Sequence, residues 1–200
     1  MAAATGTLAL LRPELSRAWC RAELSGRLTE ISGRGCVSPL SAAAALLLEA
    51  QAAGEPCAWI TKPVSSFFPP DLVRFGIDLD ALPVVFVPSA QVAARAAARL
   101  LRSGAFGLLV LDLGEDAQVS IALQGRLTGL ALKNDAAVVL LTQKSASAPS
   151  VGSMVSLRAE PRRFQEAEAL YKVSLTVLKD KRRGPGWLHE EVMLGPDGLR

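Results

Sequence analysis

Four short aliphatic runs limit what this chain can become: PCAWIT (56–61), PVVFVP (83–88), FGLLVLDLG (106–114) and AAVVLLTQ (136–143). Each is about the length of a strand and too short for a buried helix, and the last two are apolar on both faces, as strands covered on both sides must be. The segments between them have helical spacing. SAQVAARAAARLLRSG (89–104) carries Ser89 as a cap and Gly104 as a stop, and residues 117–133 read as a second helix. Upstream, GRLTEIS (26–32) reads as a short strand, followed by a helix from Ser38 to about residue 53, closed by Gly54. A short helix falls near 70–75. Downstream, MVSLRAEPRR, LYKVSLTVLKDKRR and WLHEEVML read as three consecutive strands. Strands alternating with helices, then strands alone, predict an α/β domain. Its central sheet is mainly parallel and flanked by helices, with antiparallel strands at the C-terminal end.

Two hundred residues, half of them apolar, suffice for one core. No internal repeat or low-complexity linker divides it. Residues 1–25 form an N-terminal segment with a helix over 12–24, and 26–200 form the core domain. No apolar run approaches the ~20 residues of a membrane span, and no basic residue precedes the short apolar stretch near the N-terminus, so a cytoplasmic protein is expected. Three scattered cysteines and one histidine offer no zinc pattern. The net charge is only +3, but residues 158–183 carry eight Lys/Arg against four Asp/Glu.

The stretch EISGRGCVSPLS lies between a strand and a helix, where a phosphate loop would sit. Such a loop needs G-x-x-x-x-G-K-[ST], so that backbone N–H groups cradle the phosphates, lysine neutralises them and the hydroxyl holds Mg²⁺. Gly33 keeps the first glycine, but Ser38 replaces the second, Pro39 the lysine and Leu40 the hydroxyl. Proline lacks an N–H as well as a charge. Ser38 as cap and Pro39 at the first helical position instead predict a self-satisfied helix start.

Six pieces in order carry a resemblance: EISGRGCVSPLS, GEPCAWIT, FGIDLDAL, RSGAFGLLVLDLG, AVVLLTQ and LKDKRRGPGW. Together, over about residues 26–195, they resemble the RecA-type ATPase core. The resemblance implies a magnesium aspartate at Asp112 and a γ-phosphate-sensing glutamine at Gln143. It makes Lys179 and Lys181 a strand end that reaches a neighbouring protomer's nucleotide. It also puts Pro63 where the family has its water-activating glutamate. With phosphate clamp and general base both gone, no hydrolysis and no cofactor are expected. The two loops that would bind single-stranded DNA are short and lack aromatics for stacking.

A shortened, degenerate core of this kind resembles the ImuA proteins of bacterial SOS mutagenesis. That resemblance implies a non-catalytic accessory factor of translesion DNA synthesis. It would dock to the inactive polymerase homologue ImuB and to RecA. A SulA-like cell-division inhibitor and a divergent RecA-like ATPase are the alternatives.

Several residues keep two readings. Asp112 is a relic magnesium ligand or simply ends a strand, and Gln143 a relic sensor or a cap for strand carbonyls. Lys179, Lys181, Arg182 and Arg183 are solvated surface or contacts to a partner or to DNA, which they would bind weakly. Phe67 and Phe68 dock a partner or pack in the core. Trp19, on the N-terminal helix, packs on its own core, on a partner or on a second copy of the chain. Cys36 lies by a helix N-terminus but has no base nearby in sequence, and His189 stands alone on a strand.

Overall fold

A computed structural model describes residues 19–34, 39–63, 67–115, 117–167 and 170–194. The helices are α1 (Arg21–Leu24), α2 (Pro39–Ala52), α3 (Pro69–Phe75), α4 (Ala90–Ser103) and α5 (Ile121–Lys133). The strands are β1 (Leu28–Ser32), β2 (Cys57–Thr61), β3 (Val84–Phe86), β4 (Leu108–Gly114), β5 (Ala137–Thr142), β6 (Leu157–Ala167), β7 (Leu170–Asp180) and β8 (Leu188–Leu194). They form a single sheet in the order β3-β2-β4-β5-β1-β6-β7-β8. The pairs from β3 to β6 are parallel, while β6–β7 and β7–β8 are antiparallel. The expected mainly parallel α/β sheet with an antiparallel C-terminal end is present.

The aliphatic runs that announced the fold are its interior. Every residue of β1, β2 and β5 is buried. Alternation along each strand divides the core into two layers. Ile31, Trp59, Val110 and Val139 face α2 and α3, whereas Leu28, Ile60, Leu111 and Leu140 face α4 and α5. Helix α4 reaches the sheet through small residues: Ala93, Ala94, Ala97 and Ala98 are buried on one stripe. Its ends follow the sequence signals. Ser89 Oγ accepts from Val92 N, and Gly104 closes the helix at φ 72°, a left-handed conformation that favours glycine. Helix α5 starts later than the expected 117, because Ala117 and Val119 enter the α4/α5 layer as extended chain and Ser120 is still extended at ψ 147°.

Only the end of the N-terminal segment is described. Of the helix expected over 12–24, residues 12–18 lie outside the described residues, and the described remainder is bound to the core. Leu24 is fully buried, and Arg21 pairs with Glu55 at 3.2 Å and donates to the Asp135 carbonyl. Residues 19–25 thus belong to the same domain as β1.

Chain direction places a crevice in this sheet. Strand β2 continues into α3 on one face, and its neighbour β4 continues into α5 on the other. In open α/β sheets ligands bind where connections diverge in this way, outside the carboxyl ends of the strands.

Candidate functional site

The carboxyl edge gathers six of the positions singled out in the sequence, Gly33, Pro39, Leu40, Pro63, Asp112 and Gln143, and departs from a phosphate site at each decisive one. Gly33 leaves β1 still paired, its N–H donating to the Thr142 carbonyl at 3.1 Å. Cys36 and Ser38, with the expected Ser38 cap, lie outside the described residues. Pro39 opens α2, and Leu40 packs against the apolar layer under that helix. Leucine has no hydroxyl to offer a metal ion. Pro63, just past β2, is exposed and carries no base.

Asp112 does not end its strand. β4 runs on to Gly114, with a bulge between the two that shifts the register against β5. The Asp112 side chain is 7% exposed and accepts from Thr61 Oγ1 at 3.2 Å, so β2 and β4 are tied across the crevice. Gly114 has φ 64°, and its carbonyl accepts from Gln143 N at 3.0 Å. The Gln143 side chain is exposed. A Cβ on Gly114 would come within 3.6 Å of Lys62 Nζ, so this amine lies over the bulge. The edge thus presents one buried carboxylate with a threonine hydroxyl, and one lysine beside them. Among the described residues no group of three or more His, Cys, Asp or Glu is arranged to hold a metal ion.

The most heavily bonded group nearby went unrecognised in the sequence. Glu30 sits mid-strand in β1 and is fully buried. Its Oε1 accepts from Thr142 Oγ1 and Lys144 Nζ, both at 2.9 Å, and its Oε2 accepts from Val151 N at 2.9 Å. Arg158 Nε lies 4.0 Å away and donates to Ser32 Oγ. The remaining Arg158 nitrogens donate to the Ser145 and Ala148 carbonyls. A buried arginine, a half-buried lysine and a buried carboxylate thus pin the segment 144–151 over the ends of β1 and β5. Lys144, the one cation of that loop, is turned inward and also donates to the Pro149 carbonyl. A cleft of about 460 Å³ beside it is lined by Gln91, Glu115, Gln118, Ser120, Lys144 and Val151.

The basic run begins beside this cluster and leads away from it. Register places Lys179 opposite Arg158, which pairs with Glu30, and Asp180 opposite Leu157, which pairs with Thr29, so Lys181 and the residues after it lie towards the start of β1 and away from Gly33. Most of the run is engaged internally. Lys181 Nζ donates to the Ser153 carbonyl at 2.6 Å, and Arg182 donates to the carbonyls of Glu23 and Ser25. Arg183 pairs with Glu23 at 2.7 Å and lies over the Trp187 ring. Lys179 is half-buried; burial, then the neighbouring Lys181, lowers its pKa from the ordinary value. Lys181, Arg182 and Arg183 are exposed and at the same time hold α1 and the loop before β6 through these bonds.

The aromatic candidates separate. Trp19 is 6% exposed within the α2-side core, which answers in favour of packing on its own domain. Phe67 is half-buried, its ring centroid 5.3 Å from that of Trp59, and only Phe68 stands out at 58% exposure. His189 is buried, with neither ring nitrogen hydrogen-bonded among the described residues. Cys57 is buried in β2, and burial, reinforced by Glu55, pushes its thiol up to about 12. No family model matches this chain, and no curated protein matches it in sequence.

Proposed function

We propose that this chain is a non-catalytic accessory protein of bacterial translesion DNA synthesis, built on a RecA-type core and resembling ImuA. It acts by docking to an ImuB-type inactive polymerase homologue and to RecA. The observation that carries the reading is the start of α2. Proline stands there in place of the phosphate-binding lysine, and Leu40 is packed into the core instead of offering a hydroxyl. Pro63 supplies no base after β2. A carboxyl edge that keeps Asp112, Thr61 and Gln143 without a phosphate clamp suits a scaffold whose surfaces outlived its chemistry.

The test has two arms. A fluorescent ATP analogue with Mg²⁺, titrated at tens of micromolar protein, is expected to give no saturable signal. Purified ImuB-type homologue is expected to bind in isothermal titration calorimetry. Saturable binding displaced by ATP would overturn the reading in favour of a divergent ATPase. Absence of polymerase binding, together with filamentation on expression, would favour a SulA-like inhibitor. In the S38G/P39K/L40T variant, nucleotide binding appears only if the remainder of the edge is still shaped for phosphate.

A further inference from the structure

The charge on α4 and α5 is all of one sign. Arg95, Arg99 and Arg102 on α4 are exposed at i, i+4 and i+7, and Arg126 and Lys133 are exposed on α5 at i and i+7. These spacings put the cations of each helix on one stripe. Neither helix contains an acidic residue. The two helices pack side by side over the same face of the sheet, so the stripes belong to one surface. None of the five side chains has a hydrogen bond or ion pair within the described residues.

Helix stability accounts for only part of this pattern. Arg102 and Lys133 lie in last turns, where the helix dipole favours cations. Arg95, Arg99 and Arg126 have no such reason. Like charges at i and i+4, as at Arg95 and Arg99, cost a helix about 0.2–0.5 kcal/mol. A repulsive row kept without internal partners implies an external anion. Four of the five are arginines, whose planar forks suit the paired oxygens of phosphate. Neighbours along α4 rise by about 4.5–6 Å from one to the next, close to the reach between successive backbone phosphates. Neither helix carries an aromatic side chain on which an unpaired base could stack.

We infer that the α4–α5 surface binds the phosphate backbone of a DNA duplex, without reading its sequence. This surface lies on the opposite face of the sheet from α2 and is independent of whether the proposed polymerase docking holds. It also differs from the Lys179–Arg183 run, most of which is engaged in internal contacts.

The experiment is fluorescence anisotropy of the full chain with two 20-base-pair duplexes of unrelated sequence, over a range of salt. Both duplexes are expected to bind alike, with log K falling against log salt at a slope of about −3 to −4.5, for up to five phosphate contacts. R95E/R99E/R126E is expected to lose at least tenfold in affinity and to flatten the slope by about 3. R34E/R74E/R162E reverses as many charges elsewhere and is expected to bind as wild type; circular dichroism melting checks that both variants fold. The inference is overturned if the helix variant binds like wild type, or if both variants lose equally, which would leave net charge alone as the cause. It is also overturned if a single strand is preferred, or if polyglutamate or phosphatidylserine vesicles bind where duplex does not.

Discussion

Asp180 shows how one side chain can carry a corner of the fold. Its carboxylate is fully buried and accepts from Arg27 at 2.5 Å, from Arg182 N at 2.8 Å and from Trp187 Nε1 at 3.1 Å. Burial alone would raise its pKa, but these donors together hold it below the ordinary 3.8. A carboxylate depressed in the folded state stabilises that state fully above its unfolded pKa. The contribution is lost as pH falls from 3.8 through the lower folded value. Asp180→Asn leaves Arg27 without its charge partner and should cost about 3–5 kcal/mol near neutral pH. Urea unfolding at pH 7 and pH 3 is the check, and the variant should show a smaller difference between the two than wild type. Residues of this kind were poorly legible in the sequence. Glu30 stands out only as an acid within a buried strand, because Lys144 and Arg158 are over a hundred positions away. Asp112 was legible because it interrupts an aliphatic run, although the bulge that carries β4 past it was not. Trp19 could be weighed from composition alone and not placed, since its neighbours come from α2 and the sheet.

Elements were easier to read than their attachments. Local chemistry fixes where α4 begins and ends, with Ser89 and Gly104 at its caps, and the four aliphatic runs became four strands with ends shifted by a few residues. Helical spacing continues through Ala117 and Val119, yet helix α5 starts only at Ile121, and those two side chains are buried ahead of it. The segment 144–151 is polar and rich in small residues, with nothing local to hold it, but it is a strap held by a buried carboxylate. Glu30→Gln keeps the shape and removes the charge, leaving Lys144 and Arg158 without an anion. The amide proton of Val151 should then exchange with solvent at least tenfold faster, since its acceptor is weakened and the strap loosens. Hydrogen exchange followed by mass spectrometry would show this, with the α4 amides as an unchanged internal reference.

At the scale of the whole molecule, pattern predicted a sheet and could not give its order. Nothing local announces that β1 lies between β5 and β6, because parallel pairing is set by crossovers. Both neighbours of β1 thus come from far along the chain: Leu28 pairs with Val138, and Thr29 with Leu157. A chain ended after Lys133 would leave β1 with no neighbour and β4 with only one. It should show no cooperative thermal transition by circular dichroism, although it retains all five helices and four of the eight strands. The same placement sets a timetable for synthesis. About a hundred residues separate the end of β1 from the start of β5, so a ribosome adding 5–20 residues per second leaves the first strand unpaired for roughly 5–20 s. During that interval Leu28 and Ile31 are apolar side chains without their sheet neighbours on a nascent chain, open to other contacts until β5 has been made.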